Sequence, residues 1–110
     1  MDTTAALEAF EALSQETRLA VVRLLVRAGS RGLPAGEIAD ALDCRQNTMS
    51  AHLKILHGAA LIDSQRDGRS IFYTANYGTV RELILYLMED CCAGSADICD
   101  PIAQRACAKE

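Results

Sequence analysis

The sequence predicts a mainly α-helical domain with one β-hairpin, and three observations lead there. Apolar residues recur at helical spacing in five separate stretches. Two strand-like runs flank Asp67-Gly68, and no apolar run is long enough to cross a bilayer. At 110 residues, half of them apolar, the chain is the size of one domain with a single modest core.

Taken in order, Leu7, Phe10 and Leu13 line one side of a first helix, with Thr3 or Thr4 available as its cap. Ser14 can cap a second helix whose Leu19, Val22 and Val26 form an inward stripe, ending near Gly29. Arg31-Gly32-Leu33-Pro34 reads as a loop. A short helix over 35–42 sets Ile38 and Leu42 four residues apart, and Asp43-Cys44-Arg45 connects it tightly to a helix over 46–57. There Met49, Leu53 and Leu56 share one buried face, while Cys44 is expected in the core as a small hydrophobe.

The pattern then changes period. Residues 61–66 and 70–74 read as short strands, and Asp-Gly between them is a strong hairpin signal. After Asn76 a last helix carries Val80, Leu83, Ile84 and Leu87 at i, i+3, i+4 and i+7, running to about residue 90. Those four residues, with the first helix, are the expected seam of a homodimer. Gly94 and its small polar neighbours mark an irregular tail. Helix, helix, short helix, turn, helix, hairpin, helix is the order of a winged helix-turn-helix domain, here residues 1–90, with residues 91–110 as a cysteine-containing tail.

Net charge is −4, which taken whole argues against a nucleic-acid partner. Its distribution reverses the argument. Residues 1–17 carry four carboxylates and no cation, residues 18–69 carry eight Lys/Arg against five Asp/Glu, and residues 70–110 carry three against six. All the positive excess lies in the middle, where part of the surface can meet DNA. On the helix over 46–57, Asn47, Ser50 and Lys54 share a polar face without a carboxylate. Such a face enters a major groove without repelling phosphate, and Asn or Gln can pair with adenine there. Gln46 and Asn47 sit in the first turn, the part that reaches base edges. The same spacing also describes an ordinary solvated face.

Arg66 and Arg69 flank the hairpin turn, placed to straddle the DNA backbone or reach a minor groove. An exposed hairpin with solvated arginines is the plain alternative. Both histidines lie on the helix over 46–57. His52 is assigned a phosphate contact or a helix hydrogen bond rather than a metal, and His57 a place at the helix C-terminus that the dipole favours.

Three stretches now carry a family resemblance. Residues 10–19, Phe-Glu-Ala-Leu-Ser-Gln-Glu-Thr-Arg-Leu, resemble the "ALADPTRL" segment that opens the ArsR (ArsR/SmtB) family. Glu37-Ile38-Ala39-Asp40-Ala41-Leu42 followed by Gln46 to Lys54 resembles "ELAEAL" and "SQSTVSRHLK". Arg66 to Tyr73 is similar to the family's wing, "REGRxVYY". The resemblance covers residues 7 to 90 and implies a homodimeric repressor that leaves operator DNA when an inducer binds. It implies DNA contacts from Arg45, Gln46, Asn47, Thr48, Ser50, His52 and Lys54, and from Arg66 and Arg69 of the wing. Arg45 departs from the Ser or Pro often found there, losing a cap and gaining a phosphate contact.

The inducer site follows by comparison within that family. Some members use Cys-x-Cys before the turn, where this chain has Leu33-Pro34-Ala35-Gly36-Glu37. Zinc sensors use His and carboxylate pairs on the last helix, where residues 79–90 hold no histidine. What remains is Cys91-Cys92-Ala93-Gly94-Ser95-Ala96-Asp97-Ile98-Cys99, whose thiols suit a soft, thiophilic ion. Trivalent arsenic takes three sulfurs. Neighbours in a helix point about a hundred degrees apart, so Cys91 and Cys92 converge only if the helix ends there, as Gly94 permits. The run resembles the C-terminal site of arsenic-responsive members, and that resemblance chooses Cys99 over Cys107 as third ligand. Arsenite is the implied inducer, with antimonite and methylarsenite left open and no catalytic cofactor expected.

The acidic start lacks the features of a secretion signal, which predicts a cytoplasmic protein with no membrane partner and with reduced thiols. Five cysteines in that setting point to metal or redox chemistry more than to disulfides. Three competing readings stay open. The same cysteines could sense thiol oxidation or persulfide. A small thiol enzyme would need a CxxC after a strand or an activating His, and neither is present. A structural zinc or iron–sulfur module would need paired CxxC spacing.

Overall fold

A computed structural model describes residues 1–89 of the chain. Eight elements follow one another: α1 (Thr3–Leu13), α2 (Glu16–Ala28), β1 (Leu33–Pro34), α3 (Ala35–Ala41), α4 (Gln46–Gly58), β2 (Ile62–Asp67), β3 (Ser70–Ala75) and α5 (Tyr77–Leu87). A single 3₁₀ turn, Gly29–Arg31, joins α2 to β1. The expected winged helix-turn-helix order is there, with several local corrections.

Asp2, not Thr3 or Thr4, caps α1: its carboxylate accepts the Ala5 N–H at 2.7 Å. The buried stripe of α1 is Ala6, Ala9 and Ala12, while Leu7 is 62% exposed. Small side chains let α1 approach its neighbours closely, and that decides its orientation more than the size of Leu7 does. Ser14 belongs to the end of α1, bonding back to the Glu11 carbonyl, and Gln15 caps α2 through the Arg18 N–H at 2.9 Å. In α2 the inward face is Val21, Val22 and Leu25, so Leu19 and Val26 lie exposed. This helix carries two apolar stripes, and only packing selects between them.

The stretch read as a loop contains strand β1, which pairs antiparallel with β3, Leu33 opposite Tyr73 and Pro34 opposite Phe72. The sheet order is β1-β3-β2. Gly32 makes this third strand possible. Its φ is 73°, and any Cβ there would collide with the Tyr73 carbonyl oxygen. In the hairpin, Asp67 pairs with Ser70, leaving Gly68 and Arg69 as the two turn residues. Gly68 has φ 66° and Arg69 is not among the positive-φ residues, the sign pattern of a type II′ turn.

The core gathers around α4: Met49, Leu53 and Leu56 meet Val21, Leu25, Ile38, Leu61 and Ile62, as the spacing on α4 predicts. Cys44 is half-buried against this core. Asn76 caps α5 through the Thr79 N–H at 3.0 Å, and α5 stops at Leu87, short of the expected end near residue 90. Of the four expected seam residues, Leu83 faces the chain's own core, Val80 is half-buried, and Ile84 and Leu87 are exposed, joined by Leu85. The thiols of Cys91, Cys92, Cys99 and Cys107 lie outside the described residues.

Candidate nucleic-acid interface

Helix α4 presents two unlike faces because apolar and polar residues alternate along it with helical period. Away from the buried Met49–Leu53–Leu56 stripe, Asn47, Ser50 and Lys54 share a polar face; Gln46 and Thr48 flank it in the first turn, all five are exposed, and α4 contains no acidic residue. Its N-cap is Arg45, extended at φ −66° and ψ 145°, exposed and without a side-chain cap bond. The first-turn N–H groups therefore sit beside a cation, where an anion is doubly favoured. Asn47 Oδ1 accepts the Thr48 N–H at 3.0 Å, leaving both Nδ2 hydrogens free to donate. Pairing with both N6 and N7 of adenine requires that oxygen to turn outward.

The hairpin stands beside this helix. Ser50, Lys54 and His57 of α4 face Ser64 and Tyr73 of the hairpin across an open cleft. Ser64 and Tyr73 are opposite each other in the β2–β3 register. Arg66, two residues beyond Ser64, emerges on the same sheet face. Arg69 sits in the turn itself. Among the described residues none of Arg45, Lys54, Arg66 and Arg69 takes part in a salt bridge, so their charges are available to an anion. Sequence spacing did not single out Ser64 and Tyr73 as neighbours of Lys54. The pairing becomes readable only once the turn is fixed at Gly68-Arg69.

His52 stands apart from the others. It is half-buried, with Nδ1 3.4 Å from Arg18 Nη1, and lies about 140° around the helix from Asn47 at 100° per residue. Of the two roles expected for it, the internal hydrogen bond is the one this geometry makes. Thr48 lies on the same flank but is exposed. Among the described residues, no group of three or more His, Cys, Asp or Glu side chains is arranged to hold a metal. No helix among them is long and apolar enough to cross a membrane.

Residues 13–65 match the helix-turn-helix domain family model. The transcriptional repressor SdpR of Bacillus subtilis is 30% identical over 89 residues, 81% of this chain and 96% of that protein. The ArsR-like transcriptional regulator of Rhodococcus superposes with a TM-score of 0.70 at 26% identity, over 94% of this chain and 93% of its own. The chain belongs to the ArsR/SmtB family of winged helix-turn-helix regulators. The cadmium resistance regulator CadC of Lactococcus lactis is 35% identical over 72 residues, 66% of this chain and 59% of that one. This ArsR/SmtB regulator is thus a DNA-binding transcriptional regulator and not an enzyme.

Proposed function

We propose that the protein is an arsenic(III)-responsive repressor that grips operator DNA as a homodimer and lets go when a trivalent metalloid binds Cys91, Cys92 and Cys99. The observation that carries the DNA half is the carboxylate-free face of α4 beside the two wing arginines. Gln46, Asn47 and Ser50 read bases, while Arg45, Lys54, Arg66 and Arg69 hold phosphates. Residues 1–90 form the DNA-binding and dimerisation domain, and residues 91–110 the inducer-binding tail of a cytoplasmic protein.

A second copy accounts for an otherwise costly surface. Leu7 of α1 and Ile84, Leu85 and Leu87 of α5 are 48–66% exposed. Thr3 Oγ1 and Tyr86 Oη, 2.6 Å apart, hold the two helices side by side. Pairing about a twofold axis covers this apolar strip and sets two α4 helices about one DNA turn apart.

For the inducer, the donor set is the test of fit. Three thiolates are soft ligands, matched to a thiophilic ion and poorly matched to oxygen-seeking cations. Cys91 lies four residues past Leu87, where α5 ends. An ion clamped there would fix the chain just beyond the seam helix and change the spacing of the two α4 helices. A coupling of about 1–3 kcal/mol suffices to release DNA.

The experiment is operator dissociation followed by fluorescence anisotropy under reducing conditions, against arsenite, antimonite, methylarsenite and zinc. Arsenite should release the protein at concentrations where zinc does not. Release only by an oxidant or a persulfide would replace this reading with a thiol-redox sensor.

Two substitutions separate base reading from phosphate binding. Asn47→Ala should cost roughly 1–3 kcal/mol on the operator and little on random DNA. Arg69→Ala should weaken both equally and lower the salt slope by about one. Equal losses on both DNAs for Asn47→Ala would remove α4 as the sequence reader.

A further inference from the structure

Arg18 occupies the first turn of α2, half-buried, and touches two other helices. Its Nε donates to the Ala12 carbonyl oxygen at 2.6 Å, and Nη1 faces His52 Nδ1 at 3.4 Å. Ala12 is in the last turn of α1, so its carbonyl is one of the four that a helix leaves without an internal partner. His52 is in the middle of α4. One guanidinium therefore joins α1, α2 and α4.

We propose that Arg18 and His52 form a strut that sets the angle of α4 against α1, making both of them positioning residues for operator binding. The inference rests on the operator binding proposed above. Apolar packing is non-directional and sets a helix crossing angle less sharply than a hydrogen bond, which is lost over a short displacement. The residues α1 buries fully are all alanines, with Phe10 and Leu13 half-buried at the edge of the core, so few large side chains interlock it with its neighbours. A planar guanidinium supplies what the alanines lack, because its N–H groups hold two acceptors at a fixed angle. Arginine only donates, so Nδ1 of His52 is the acceptor and the ring proton sits on Nε2. Because α1 also carries the exposed Leu7, a shift of α1 in the proposed seam reaches α4 through this contact.

The test uses full-length Arg18→Lys, His52→Leu, His52→Asn and the double variant Arg18→Lys/His52→Leu. Operator affinity is measured across a salt series, and thermal unfolding is measured alongside it. Lysine cannot bridge both acceptors, and leucine offers none. Each should weaken operator binding about tenfold, the size of one charge-assisted hydrogen bond. The double variant should be no weaker than the weaker single one, since the two residues act as one unit. His52→Asn should bind within about twofold of wild type, because the asparagine carbonyl can accept from Arg18 near where Nδ1 did.

Salt slopes should match wild type throughout. A slope lowered by about one in His52→Leu would make His52 a phosphate ligand and overturn the strut. Additive losses would overturn it, as would failure of His52→Asn to restore binding while unfolding at the wild-type temperature. A long-range proton–nitrogen NMR spectrum of the wild-type imidazole gives a reading independent of DNA. A proton on Nδ1 there refutes the strut outright. If the ring spectrum fits but wild-type protein prefers no promoter sequence, operator binding is what fails.

Discussion

Replacing any one of Cys91, Cys92 and Cys99 with serine should abolish arsenite-triggered release from the operator, while Cys44→Ala and Cys107→Ala leave it intact. A trivalent arsenic with three sulfurs has no spare ligand, and a hydroxyl is a hard, poorly matched substitute. Loss of one thiolate should therefore cost the response as a whole. Cys44 is half-buried against the core, its Sγ 3.5 Å from the Arg45 carbonyl oxygen, and its role is packing. Cys107 would close a loop about twice as long as Cys99 does, at a cost of only about 0.6 kcal/mol more, so reach alone separates the two weakly. The comparison of Cys99→Ser with Cys107→Ser is accordingly the sharpest in the set. Response surviving in the first and lost in the second would move the third ligand to Cys107. Response depending on Cys91 and Cys92 alone would point to a two-thiolate methylarsenite site. All the variants should bind operator like wild type before arsenite is added, which excludes misfolding as the cause.

How much of this was readable from sequence depended on whether local or distant contacts decide a residue's place. Helix α4 was readable on both faces, because Met49, Leu53 and Leu56 and the polar residues opposite them obey one local period. The hairpin was readable because Gly68 permits a turn that fits the twist of both strands. Strand β1 was not. Two residues, one of them Pro34, carry no period, and β1 exists because β3 offers an edge to pair with. The inward faces of α1 and α2 were misjudged for a related reason. Both helices carry more apolar residues than one buried face needs, and Leu7 and Leu19 look like core until the packing partners are known. His52 could have been separated from Asn47 by helical angle alone, but the cation beside it comes from 34 residues away. The proposed thiol site is read only from a donor set with a spacing, since its residues lie outside the described residues.

The other large effect is expected at Gly32, where a single methyl group should disable the wing. Gly32 is buried with φ 73°, and a Cβ would overlap the Tyr73 carbonyl oxygen and come within 2.7 Å of Thr74 Cγ2. Neither neighbour yields cheaply: the first is backbone of β3, and the second belongs to a β-branched residue in the same strand. At φ 73° and ψ −167° residue 32 lies in a region essentially reserved for glycine, which costs an alanine about 1–3 kcal/mol, and overpacking adds typically about 1–3. Gly32→Ala should therefore lose about 2–6 kcal/mol, from a total that for small domains is about 5–15. The melting temperature should fall by roughly 8 °C or more for a domain of this size. Gly68→Ala is the internal control. Its φ of 66° is likewise one that an L side chain rarely adopts, but a Cβ there meets nothing within 4 Å. That variant should lose only about 1–2 kcal/mol. The difference between the two isolates the close approach of residue 32 to β3, and thermal unfolding by circular dichroism measures it directly. Operator binding should follow the same order, since β3 carries one side of the cleft beside Lys54 and closes the turn that holds Arg69. Equal losses at both glycines would mean that the chain does not make this approach, and that β1 contributes little to holding the wing.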